Sequence, residues 1–239
     1  MANPWVQDRA KIFYFGFALV SLAAVVTGFS TTYILPIAQG SFSAPPIVHL
    51  HGALCLGWVL LLALPTILVR QLQTPWHRKL GYLGVPIALG VFVSGLGTAT
   101  WATRRDLDKI PTAFSTMTGT LTSLTIFLAL VIFGVAMRRR PDWHKRLLML
   151  ATVAVLWPAY FRFRHLLPWV PRPDIWLAFV LADLPIAVAA FRDRRRYGQI
   201  HPVWSRVGTA LIAEQAFEIF MFETPLWARL GQAVFRAIG

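Results

Sequence analysis

Seven long apolar runs constrain this chain more than anything else in it: Ile12–Leu35, Ile47–Leu68, Leu80–Thr100, Ala113–Met137, Leu147–Leu167, Ile175–Phe191 and Val207–Phe222. A helix needs about 20 apolar residues to cross the hydrocarbon core of a bilayer. Backbone polar groups find no water there, so runs of this length specify helices that satisfy their own hydrogen bonds. The expected fold class is all-α, a polytopic transmembrane helix bundle of about seven spans that forms one domain over residues 1–239. The last two runs are the shortest. A hydrophobic share of 56% and a mean hydropathy of +0.58 exclude an ordinary soluble domain.

A net charge of +13 would point to nucleic acid in a soluble chain. Here the basic residues gather in short connections between apolar runs, so the lipid bilayer with its anionic headgroups is the expected partner and nucleic acid is not. Fifteen of the 23 Lys and Arg fall at the N-terminus and in the second, fourth and sixth connections, which places the N-terminus in the cytoplasm. The first run follows Asp8, Arg9 and Lys11 and reads as a retained anchor. After seven crossings residues 223–239 fall on the far side, where Leu226, Trp227, Leu230, Val234 and Phe235 form the apolar face of an interfacial helix. The single cysteine, Cys55, lies inside a run, which leaves no disulfide framework and no cysteine metal cluster within one chain.

A short pattern recurs where helices start from the cytoplasmic face. Pro75-Trp76-His77-Arg78-Lys79-Leu80 is echoed by Pro141-Asp142-Trp143-His144-Lys145-Arg146-Leu147 and more loosely by His201-Pro202-Val203-Trp204-Ser205-Arg206. Trp settles at headgroup level and Lys or Arg snorkels there, so membrane anchoring explains these motifs without chemistry. Pro65, Pro86, Pro158 and Pro185 fall inside runs, where each removes a backbone bond and can kink its helix.

On this topology the polar side chains of the runs crowd into the outward halves. They are Ser30, Thr31, Thr32 and Tyr33; His49 and His51; Ser94, Thr98 and Thr100; Ser115, Thr118 and Thr122 with Gly119 beside them; and Tyr160, Arg162, Arg164 and His165. Asp183 lies near the middle of the sixth run, and Glu214 and Glu218 sit one helical turn apart in the seventh. A charge at the bilayer centre costs about 3 kcal/mol on insertion scales, so these acids should face the bundle or water. Arg162, Arg164, His165, His49 and His51 are their expected partners. Together with Tyr160 they define an outward-opening polar pocket on the second, fifth, sixth and seventh spans. The bland alternative is a set of interhelical ion pairs that only fix packing.

Four uses suit such a pocket. The first is haem b for electron transfer: His51 and His165 at matched depth would hold the iron, and Arg162 or Arg164 the propionates. A second haem between His77 and His144 is disfavoured, because both lie in connections. The second use is a bare metal ion held by His49, His51 and His165 with Glu214 or Glu218, although no HExxH or CxxC supports it. The third is a transporter or receptor pocket in which Arg162 and Arg164 bind an anion and the acids take protons. The fourth is an accessory subunit packed against other subunits of a larger membrane complex. Phosphate-binding glycine loops and nucleophile elbows are absent, and no catalytic residue is assigned.

The combination of His49-Leu50-His51-Gly52, His77-Arg78-Lys79-Leu80-Gly81 and His144-Lys145-Arg146-Leu147, running on to Pro158 and Arg162, resembles a family of bacterial predicted multi-pass membrane proteins of unknown function. The resemblance covers Ile47 to His165. It implies a bacterial cytoplasmic (inner) membrane location and lends no activity, substrate or cofactor.

Overall fold

The computed structural model describes residues 11–70 and 79–239. Asp8, Arg9 and the first copy of the Trp-His-Arg pattern, with His77, lie outside them. Among the described residues every regular element is a helix. Helix α1 (Lys11–Phe29) continues through a π turn (Ser30–Ile34) and a last turn (Leu35–Ala38). Helices α2 (Pro46–Arg70), α3 (Gly84–Asp106) and α4 (Ala113–Ala136) follow. Helix α5 (Pro141–Phe161) ends in a 3-10 turn (Arg162–His165). A π turn (Asp174–Val180) leads into α6 (Leu181–Tyr197), and another (Val203–Gly208) into α7 (Thr209–Met221). Helix α8 (Pro225–Ile238) closes the chain.

Six stretches are long and apolar enough to cross a membrane: Ile12–Ala38, Pro46–Leu64, Lys79–Asp106, Ala113–Ala136, Pro141–His165 and Asp174–Tyr197. This is the composition of a multi-pass membrane protein. The seventh run also forms a helix, α7, which returns beside α6, but Arg206, Glu214 and Glu218 keep it out of that set. Cross-contacts define two ends of the bundle. At one, Arg162 after α5 meets Thr32 after α1; at the other, Asp142 at the start of α5 meets His201 ahead of α7.

Helix α5 is the hub. In its apolar window 61% of the residues are buried, against 17–33% in the other five spans, because α1, α4, α6 and the turn before α7 all pack on it. A helix that is apolar all round belongs inside a bundle, and the run from Leu147 to Leu156 has no charged residue on any face. Small residues bring its neighbours close. A Cβ on Gly28 of α1 would strike the Ala159 carbonyl of α5, so only glycine permits that approach. Helix α3 sits between α2 and α4 in the same way, with Leu54 against Gly90, Ile47 against Gly97 and Leu124 against Gly95. Side chains such as Leu19, Val93, Phe133 and Val188 point outward, as lipid contact requires.

Local chemistry sets the ends. Gly198, in the left-handed region at φ 73°, stops α6 and returns its N–H to the Arg194 carbonyl. The Thr224 hydroxyl accepts the Trp227 N–H at 3.3 Å and Pro225 occupies the first turn, which starts α8. The tail is the amphipathic helix expected, but its apolar face divides. Trp227 is buried, Phe235 meets Phe114 of α4 edge-on, and Gly231 lies against the Phe114 carbonyl; Leu226 and Leu230 remain exposed. Helix α8 therefore docks along the start of α4.

Candidate functional site

Three carboxyl groups meet between α4, α6 and α7. Asp183 opens α6 just beyond its π turn and is only 6% exposed, with neither carboxylate oxygen hydrogen-bonded. The charged group that acts on it is Glu214. Glu214 and Glu218 stand one turn apart on α7, near enough for each carboxyl to act on the other. The Thr122 hydroxyl of α4 donates to Glu218, and Gly119 leaves room for the Glu218 carboxyl, whose oxygens lie 3.9 Å from where a Cβ would be. No basic side chain among the described residues is bonded to any of the three acids. Gln215, beside Glu214 on α7, is also buried, and its carbonyl oxygen has no partner among the described residues.

The cations expected to neutralise these acids are elsewhere. Arg162 turns into the seam between α5 and α1, where Nε donates to Thr32 Oγ1 at 3.2 Å, Nη1 donates to the Pro158 carbonyl at 2.7 Å, and the guanidinium lies 4.2 Å from the Phe29 ring. Arg164 folds back over Phe161 at 3.9 Å and donates to that residue's carbonyl. His165 is exposed, and Tyr160 is buried with its ring against Phe163. The single outward pocket expected from the sequence is therefore two separate groups, a cationic one on α1 and α5 and an acidic one on α4, α6 and α7.

The histidines also part company. His49 Nδ1 lies 2.9 Å from the Tyr33 hydroxyl, with Phe42 packed edge-on to its ring. His51 Nδ1 lies 3.1 Å from Ser94 Oγ of α3, and its Nε2 lies 3.5 Å from Cys55 Sγ on its own helix. His51 is thus held between α2 and α3 while His165 sits at the exposed end of α5, and nothing directs the two at one iron. Among the described residues no three His, Cys, Asp or Glu side chains gather as a metal ion would need.

The opposite end of the bundle holds a group that the sequence reading missed. Arg146, with no exposed surface, donates from Nε at 3.2 Å and Nη2 at 2.8 Å to Asp193 Oδ2 of α6, and from Nη1 to the Asp142 carbonyl. Trp204 Nε1 donates to the same Asp193 oxygen at 2.8 Å. His201 accepts the Val203 N–H on Nδ1 at 3.2 Å and turns Nε2 to Asp142 Oδ2 at 3.3 Å. Asp142 and Arg146 belong to one repeat copy and His201 and Trp204 to another, and these four are buried partners rather than headgroup anchors, whereas Arg206 is exposed. The signal available was the acid: Asp142 four residues before Arg146, in an otherwise basic connection.

Both bonds to His201 require the neutral ring with its proton on Nε2. Burial first, and the Arg146 charge second, hold its pKa below the ordinary 6.5, against the opposing pull of Asp142 and Asp193. The unfolded chain therefore binds a proton that the folded one refuses. Stability contributed here is complete above the ordinary value and is lost as pH falls below it. The Tm of the solubilised protein is expected to drop between about pH 7 and about pH 5, and the drop should be smaller in His201→Gln. Equal slopes in the two proteins would exclude the assignment.

Between the two polar groups lies an apolar layer. Asp193 is ten residues from Asp183 and Trp204 ten from Glu214, about 15 Å at 1.5 Å per residue. The gap is filled by buried Leu150, Ile186 and Leu211 around Gly208, whose absent Cβ would lie 2.9 Å from Ile186. No family model, curated protein or solved structure matches the chain.

Proposed function

We propose that this is a multi-pass protein of the bacterial cytoplasmic membrane that takes up and releases protons at Asp183, Glu214 and Glu218, as the proton-coupling site of a transporter. One observation carries the reading: three carboxyl groups gather within the apolar bundle and no basic side chain among the described residues is bonded to them. At an effective dielectric of about 20, two like charges 4 Å apart repel by about 4 kcal/mol. A proton held between Glu214 and Glu218 relieves that repulsion, and the Thr122 hydroxyl steadies the remaining oxygen. Such a group titrates as a unit. Carboxylates at this depth are the usual means of moving protons through helical bundles.

The alternative of haem-based electron transfer has less support, since the two candidate axial histidines have separate surroundings. Infrared difference spectra of the reconstituted protein, recorded across a pH step, test the proton reading. The band of a protonated carboxyl is expected in the wild type and should be lost in Glu218→Gln, together with proton movement into proteoliposomes. An unchanged band and unchanged proton movement in that variant would remove Glu218 from the mechanism.

A further inference from the structure

We propose that Arg162, Arg164 and His165 form a binding site for a phosphate-type anion, apart from the carboxyl group. The 3-10 turn Arg162–His165 packs against the end of α1, whose π turn carries Thr32 to Arg162. On a 3-10 turn residues three apart eclipse, which stacks His165 over Arg162, and Arg164 lies close enough to both to repel them. None of the three is paired with a carboxylate among the described residues.

A guanidinium has five N–H donors. Arg162 directs one to Thr32 and one to the Pro158 carbonyl, and Arg164 directs one to the Phe161 carbonyl, so most of their donors have no acceptor among the described residues. The ordinary fate of arginine at a span's end is to snorkel into water. Arg162 does the reverse: it bends into the seam over Phe29, while Arg164 is pinned on Phe161, itself stacked on Trp157 at 4.8 Å. Two forks fixed by aromatic rings, with the charges uncancelled, suit an anion with several oxygens. The end of a span lies at the depth of lipid phosphates, so the phosphate can belong to a headgroup or to a free anion.

The full chain in phosphatidylcholine nanodiscs, titrated with inorganic phosphate, forms one arm of the test. The other measures phosphatidylglycerol retained per chain after extraction from mixed-lipid nanodiscs into neutral detergent. One saturable equivalent is expected in at least one arm; retention of phosphatidylglycerol alone identifies a headgroup site, and phosphate binding a free-anion site. Arg162→Gln and Arg164→Gln should each weaken binding by about 10- to 100-fold, as loss of charged hydrogen bonds does. Arg162→Lys should fall between, keeping the charge without the fork. Arg164 has the smaller role in packing, so its variant reads binding with the fold intact. Glu218→Gln should bind as the wild type, which separates this site from the proton reading. No uptake in either arm, or Arg164→Gln binding like the wild type, overturns the proposal.

Discussion

Arg146→Met is expected to destabilise the protein by about 3–5 kcal/mol, the usual cost of removing one partner from a buried ion pair. Arg146 has no exposed surface, and its departure leaves Asp193 inside the bundle with, among the described residues, the Trp204 N–H and the more distant Arg192, 3.4 Å from its other oxygen. The Asp142 carbonyl loses a donor as well. Most of the loss is the stranded charge rather than the worth of the pair, so Arg146→Met combined with Asp193→Leu should recover a large part of it. Reversible unfolding in mixed micelles, or Tm where unfolding is irreversible, measures both. A double variant no more stable than Arg146→Met would show that the pair does more than cancel its own charges.

Gly28→Leu should be nearly as damaging, and for a steric reason. Even Gly28→Ala places its Cβ on the Ala159 carbonyl, a backbone atom of the central helix that cannot turn aside. Overpacking of this kind costs about 1–3 kcal/mol, and leucine adds three more carbons to the same gap. Gly16→Ala on the same helix is the control. No atom lies within 4 Å of the added methyl there, so it should be neutral or slightly stabilising through helix propensity. Displacing α1 also draws Thr32 away from Arg162, so Gly28→Ala should weaken anion uptake although it touches no ligand. If Gly28→Ala and Gly16→Ala unfold alike, α1 and α5 do not pack as closely as described.

Helix positions were legible in the sequence because the bilayer imposes length and apolarity directly. The run Ala113–Met137 becomes a helix over Ala113–Ala136, and the central role of the fifth run follows from its uncharged circumference. Partner choice was not legible. It depends on which way each helical face points, and π turns before α6 and α7 and after α1 rotate the residues that follow by an amount no periodicity reveals. The sequence marks Asp183, Glu214 and Glu218 as acids that must face the bundle, but depth alone offers them Arg162, Arg164, His165, His49 and His51 as partners. The Arg146 group was hidden for another reason: Trp, His and Arg at a helix start already have an adequate explanation in membrane anchoring. Only Asp142 and Asp193 in those basic connections spoke against it.

The layer of Leu150, Ile186 and Leu211 has an electrical consequence. On the proposed proton reading it insulates Glu218: the Leu150, Ile186 and Leu211 side chains offer no donor or acceptor leading on to Asp193 or His201. On that same reading, discharge to the other face requires Gly208 and its π turn to shift against Ile186, so proton movement is expected to be stepwise, with little leak in between.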